Sequence, residues 1–179
     1  MYSSIQLFIT EDNNGHFTQR YNHLRNVLFN LLDTPVKSTH HIGGTRHFMY
    51  PTEPILDILV GVNNLHDVTS LDEKRLNYEG FYRLHHPYKK KVVMAQFNNL
   101  IELKQTTQLH IIQKDTPLYT DYLEMDELLA SNSVIAKHFS NKKQCLASHK
   151  VTIILDYENH KQMLFQQLTK QKDHKSLLK

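Results

Sequence analysis

Phe17, Tyr21, Leu24, Leu28 and Leu31 recur at spacings of four, three, four and three, which puts one apolar stripe along a helix. Asp33-Thr34-Pro35 ends that helix, because proline cannot continue it. Lys37 to Ile42 then predicts a strand running into Gly43-Gly44. From Ile55 to Val62 the chain is almost continuously apolar and rich in branched residues, the pattern of a strand buried on both faces. Ile5 to Ile9 predicts a short strand or extended arm, and Asp67 to Leu76 a short helix. Three more strands are expected around Tyr78 to Leu84, Lys91 to Phe97 and Lys104 to Ile112, with Asn98-Asn99 as the turn between the last two.

The last third of the chain changes period. Thr116 and Pro117 suit the cap and first turn of a helix that carries Leu118, Tyr122, Met125 and Leu129 at helical spacing. A second helix is predicted over Ser133 to Ser148, and a third from about Asp156 with Tyr157, Lys161, Leu164 and Leu168 on one face. A mixed sheet with flanking helices, followed by a C-terminal helical segment, is an α+β arrangement. Repeats, low-complexity tracts and Pro/Gly/Ser linkers are absent, so residues 1–179 read as one domain, with a tail from about residue 170 expected to fray.

Composition narrows the setting. A hydrophobic fraction of 40% and a charged fraction of 22% suit an ordinary globular protein. Cys145 is the only cysteine, which rules out an intramolecular disulfide and points to a reducing, cytoplasmic setting. The first residues lack a basic, cleavable leader pattern, and Asp57 and Gly61 interrupt the longest apolar run. That run is far below the ~20 residues of a membrane-spanning helix, so no membrane partner is expected. The formal charge is +3, unevenly spread. Lys137, Lys142, Lys143 and Lys150 fall in an acid-free stretch, and Lys170, Lys172, Lys175 and Lys179 follow with only Asp173 against them. Such lysines could give weak, salt-dependent contact with nucleic acid. A solvated helix face is the preferred reading. Thirteen histidines show no HExxH-type ligand spacing.

Two places break the pattern. Gly43-Gly44-Thr45 directly follows a predicted strand, and adjacent glycines let backbone N–H groups approach a phosphate; an ordinary turn is the simpler account. Asp57 lies inside the apolar strand, on one face with Ile55 and Leu59, while Leu56, Ile58 and Val60 share the other. A carboxylate there must be paired, hydrogen-bonded or metal-bound, since burying it alone costs several kcal/mol. It could equally cap a helix or pair with Arg46 or a lysine. Twelve residues separate Gly44 from Asp57, enough for the chain to loop and return along the next strand. Thr106, Gln108 and His110 form the polar face of a later strand, so His110 and Asp57 could converge in one pocket with Gly44.

This combination resembles the polymerase-beta-type nucleotidyltransferases, in which a Gly-Gly or Gly-Ser pair precedes a strand bearing paired acids. The closer resemblance is to the GrpB family. His41-Ile42-Gly43-Gly44-Thr45 is similar to its His-Ile-Gly-Ser-Thr, and Pro54-Ile55-Leu56-Asp57-Ile58 to its Pro-Ile-Ile-Asp-Ile at the same spacing. Gln108-Leu109-His110-Ile111, Tyr119-Thr120-Asp121-Tyr122-Leu123 and the pair Tyr157 and Lys161 resemble later family segments. The chain departs at Gly44, where the family has serine, at Leu59, where the superfamily places a second acid, and in the loop Arg46 to Glu53, which ends acidic instead of basic.

The resemblance implies a nucleotidyltransferase-like fold and magnesium-dependent transfer from a nucleoside triphosphate to an acceptor. In that reading Asp57 and His110 are the metal ligands and catalytic pair. Gly43, Gly44 and Thr45 hold triphosphate oxygens, and Arg46, Tyr157 and Lys161 contact the phosphates. A protein that binds nucleotide or RNA without catalysis is the alternative that Leu59 leaves open. Neither the acceptor nor the oligomeric state is legible.

Overall fold

The computed structural model describes residues 6–68, 70–85, 90–99 and 101–148, together with Met163. Helix α1 (His16–Asn30) begins where the Asp12 carboxylate accepts hydrogen bonds from the amides of His16 and Phe17, at 3.0 and 2.8 Å. Its stripe buries Phe17, Leu24 and Leu28. Strand β1 (Val36–Ile42) leads into the four-residue helix α2 (Gly44–His47), and β2 (Leu56–Val62) returns antiparallel to β1. Helix α3 (Ser70–Tyr78) and the short β3 (Phe81–Arg83) follow, then β4 (Lys91–Phe97) and β5 (Gln105–Gln113). The chain closes its described part with α4 (Pro117–Ser131) and α5 (Ser133–Ser148).

The five strands form one mixed sheet in the order β1-β2-β5-β4-β3. Only β2 and β5 run parallel; the other neighbours are antiparallel. Parallel pairing of β2 with β5 sets Asp57 beside Gln108 and Leu59 beside His110. One face carries Leu56, Ile58, Val60, Val62, Leu109 and Ile111 into the main core, under α1 and Leu76 of α3. The opposite face sends Ile42, Leu59 and Ile112 against Tyr119 and Tyr122 of α4. A third cluster, Tyr50, Met125, Leu129, Ala136 and Phe139, joins α4 to α5. The expected α+β fold with a mixed sheet and flanking helices is therefore the one observed.

Some expectations shift at their edges. The strand expected over Tyr78 to Leu84 is only three residues long, because α3 runs on to Tyr78 and Gly80 turns the chain at φ +78°. Of the strand or arm expected over Ile5 to Ile9, the described residues show one antiparallel bridge, between Ile9 and Thr52, with N–O distances of 2.7 and 2.9 Å; Ile5 lies outside them. The Thr116 cap forms as expected, its hydroxyl accepting from the Tyr119 amide at 3.4 Å. The helix expected from about Asp156 lies outside the described residues apart from Met163, as does the tail from residue 170.

Candidate functional site

The turn after β1 requires glycine twice, for two different reasons. Gly43 sits at φ +79°, ψ −175°, a region that side chains other than hydrogen exclude. The place a Gly43 Cβ would take is 3.0 Å from Asp57 Oδ2, so the carboxylate packs directly on the turn. A Cβ on Gly44 would meet the Thr52 side chain at 2.5 Å. Buried Thr52 thus accounts for glycine where the resembling family carries serine.

Asp57 and His110 meet on the α4 side of the sheet. His110 Nε2 lies 3.2 Å from Asp57 Oδ1, across the parallel β2–β5 pair. The imidazole also lies against the Tyr122 ring, with centroids 5.5 Å apart. The Tyr122 hydroxyl in turn accepts a hydrogen bond from buried Lys91 Nζ at 3.0 Å. Neighbouring donors of an octahedral magnesium ion stand about 3 Å apart, so the observed spacing suits two ligands of one ion as well as a hydrogen bond. The pair supplies one oxygen and one nitrogen. Among the described residues no group of three or more His, Cys, Asp or Glu side chains could hold a metal ion. Leu59 explains part of that: it is 0% exposed, sealed among Ile42, Ile112, Tyr119 and Tyr122, and offers no oxygen. By itself the pair supplies too few ligands for a divalent ion, and further oxygens would have to complete the shell.

The turn residues have protein partners of their own. Thr45 is buried, and its hydroxyl donates to the Ile55 carbonyl at 3.2 Å. Its single proton spent, Thr45 Oγ1 accepts from His41 Nε2 at 3.1 Å, which makes His41 the Nε2–H tautomer. Burial holds the His41 pKa down at about 4, with Arg46 and His47 adding to the effect against the opposing pull of Asp57. His47 is pushed to about 4 by burial and by Arg46.

The Gly43 amide donates to Asp126 Oδ1 at 2.6 Å, and Arg46 Nη1 donates to Asp126 Oδ2 at 2.6 Å. Arg46 Nη2 also reaches Glu127 at 3.4 Å. Burial raises the Asp126 pKa, opposed by the Gly43 hydrogen bond and the Arg46 charge. Burial alone would lower the Arg46 pKa, but Asp126 and Glu127 outweigh it and raise the value. Beside this pair opens a cleft of about 600 Å³, walled by Tyr21, His40, His41, Arg46, Asp126 and Glu127 among others; Asp57 and His110 are not in its walls.

The structure thus brings Gly43, Asp57 and His110 together. Arg46 pairs with Asp126 and Glu127 of α4. Gln108, expected to line a cleft, is buried and donates to Gln105 at 2.7 Å. Tyr157 and Lys161 lie outside the described residues. The expected basic face loses one member: Lys143 is buried, 3.5 Å from Glu53 and over the Phe8 ring at 5.1 Å. Glu53, the acidic end of the loop, is consequently a partner of α5. Sequence reasoning missed Asp126. Its signal was present, since 119, 122, 126 and 129 keep helical spacing and put an acid in line with two tyrosines and a leucine.

Residues 8–171 match the family model described as GrpB protein, and the chain belongs to the GrpB family. The glutamate-rich protein GrpB of Alkalihalophilus pseudofirmus is 27% identical over 145 residues, covering 80% of this chain and 83% of the relative. The crystal structure of conserved protein GrpB from Enterococcus faecalis superposes with a TM-score of 0.70 at 20% identity, over 91% of this chain and 98% of that one, and shows the same fold. Cid1 in complex with the UTP analogue UMPNPP gives a TM-score of 0.44 at 16% identity over 76% of this chain and 44% of that one. At that score nothing about this chain follows from the likeness. No helix among the described residues is long and apolar enough to cross a membrane.

Proposed function

We propose that this GrpB-family protein binds a nucleoside triphosphate with magnesium at the Asp57–His110 centre and transfers the nucleotidyl group to an acceptor. The observation that carries the reading is the 3.2 Å approach of His110 Nε2 to Asp57 Oδ1, directly beside the Gly43 turn. Asp57 and His110 would hold the ion, which when bound neutralises phosphate charge that builds up during transfer. Gly43, Gly44 and Thr45 would place backbone N–H groups along the triphosphate, since the Thr45 hydroxyl is already committed to Ile55. Arg46, Tyr157 and Lys161 would add positive charge and hydrogen bonds to the phosphates. Tyr122, its hydroxyl held by Lys91, packs against the His110 ring.

The test is pyrophosphate release from each of the four ribonucleoside triphosphates with magnesium, by the wild type and by Asp57→Asn. Release by the wild type that falls at least a hundredfold in the variant supports the reading. Equal release by both proteins sinks it.

The burial of Leu59 favours a second reading, in which the protein binds magnesium–nucleotide but does not turn it over. Binding that depends on Asp57, without any pyrophosphate release, selects that reading.

A further inference from the structure

We propose that Asp126 is a built-in competitor for the phosphate seat of the Gly43–Arg46 turn, so that an incoming triphosphate must displace this carboxylate from α4 before it can bind. The proposal rests on the nucleotide reading above and adds what stands in the way of the ligand. An anion at this turn would seek two groups, the Gly43 amide and the Arg46 guanidinium. Both already point at one carboxylate: Asp126 Oδ1 accepts from Gly43 at 2.6 Å and Oδ2 from Arg46 at 2.6 Å. Charge-assisted contacts of this kind are the ones a phosphate oxygen makes. Asp126 is 8% exposed, and His47 Nε2 stands 4.0 Å from its Oδ1, so the carboxylate is seated and not merely nearby.

The surroundings allow exchange. Arg46 is the outer partner, with 38% of its side chain exposed, and the open cleft of about 600 Å³ reaches both Arg46 and Asp126. A phosphate group entering by that cleft meets Arg46 with Glu124 and Glu127 beside it, and their charges add to what the ligand must overcome. Taking over the guanidinium and then the Gly43 amide would leave Asp126 facing a like charge, and Asp126 would have to turn toward the cleft. Affinity for triphosphate is therefore reduced by the stability of the Asp126 contacts, and a ligand gains only the surplus of phosphate over carboxylate.

Calorimetric binding of inorganic triphosphate and of each ribonucleoside triphosphate, with magnesium, to the full-length wild type, Asp126→Asn and Asp126→Glu tests this. Asparagine keeps an oxygen for the Gly43 amide but drops the charge; glutamate keeps the charge. The expected result is at least tenfold tighter triphosphate binding by Asp126→Asn and no gain by Asp126→Glu. In the wild type itself, carbon-13 NMR of the Asp126 carboxylate and proton–nitrogen-15 NMR of the Gly43 amide should show the two signals shifting together as triphosphate is added. This second measurement stands even if Asp126→Asn fails to fold. Binding by the wild type with no gain in Asp126→Asn, or with a still Asp126 signal, overturns the competitor and leaves the nucleotide reading intact. Tighter inorganic triphosphate in Asp126→Asn, without any nucleoside triphosphate binding that depends on Asp57, keeps the competitor and defeats the nucleotide reading. No binding by any of the proteins, with either ligand, removes both.

Discussion

The two faces of the sheet come from the same strands and differ in what they bury. Under α1, alternate residues of β2 and β5 are Leu56, Ile58, Val60 and Val62 with Thr107, Leu109 and Ile111, apolar but for Thr107, whose hydroxyl accepts from Arg20 Nε of α1 at 3.1 Å. Under α4 the alternates on the same strands are Asp57, Leu59 and Gly61 with Gln108, His110 and Ile112. That face is apolar only where Leu59 and Ile112 meet the tyrosines of α4. Elsewhere on it polar side chains pair: His110 with Asp57, Gln108 with Gln105, and Lys91 with Tyr122. The α1 face holds the fold mainly through apolar burial. The α4 face is therefore free to carry polar groups, most of them paired, because an unmatched one costs more than a neutral hydrogen bond returns.

The largest test of this division is Leu59→Asp, which restores the second acid of the resembling superfamily. Leu59 is 0% exposed, so the carboxylate would be sealed among Ile42, Ile112, Tyr119 and Tyr122. A loss of about 4 kcal/mol in urea unfolding is expected, from the buried charge and the lost leucine packing. An unchanged stability with new magnesium binding would show that the polar end of the face extends past position 59.

Gly43→Ala sharpens the comparison at the turn. It asks an alanine to adopt φ +79° and to place its Cβ 3.0 Å from Asp57 Oδ2. The expected cost is ~2 kcal/mol, from backbone strain. The α1 face should keep its packing, so far-ultraviolet circular dichroism should match the wild type below the melting point.

Acid should loosen the chain around the Gly43 turn, where His41 is next to last in β1 and His47 ends α2. His41 and His47 are held neutral in the fold, each with its pKa lowered to about 4 from the ordinary 6.5. Below 6.5 the unfolded chain takes up protons that the folded chain refuses until about pH 4, so stability falls as pH drops through that window. Between pH 7 and pH 5 the pair should cost about 2 kcal/mol, allowing for solvent screening. The raised pKa of Asp126 acts in the opposite sense, since its protonation at low pH is easier in the fold. His47→Gln should flatten the slope; an unchanged slope would place the acid sensitivity elsewhere.

Much of this was legible in residue order. The period of α1, the apolar run of β2 and the Thr116-Pro117 start of α4 mark their elements because local spacing and capping decide them. Asp57 stood out as an acid in an apolar strand, and strand parity put His110 on a polar face; the parallel β2–β5 pairing then joins them. Partners that depend on helix placement were not legible. Asp126 reaches Gly43 across 83 positions of sequence, and Lys143 finds Glu53 only because α5 packs against the loop. A run of lysines reads as a solvated or phosphate-facing surface until the fold shows which of them has an acid to bury against. Gly44 looked like a departure from serine, and its reason, the Thr52 side chain, comes from a segment eight residues on.

The central claim is that the polar end of the α4 face exists to hold magnesium and nucleotide through Asp57. Melting temperatures of the wild type and Asp57→Asn, with magnesium alone, with nucleoside triphosphate alone and with both, test it most directly. One carboxylate and one imidazole hold magnesium poorly by themselves, so magnesium alone should leave the wild type within about 1 °C. Both ligands together, at about a hundred times the dissociation constant, should raise it by about 5 °C or more. Asp57→Asn should lose that joint rise and keep only the response to nucleotide alone. Identical responses of the two proteins would contradict the account and make Asp57 a structural partner of His110.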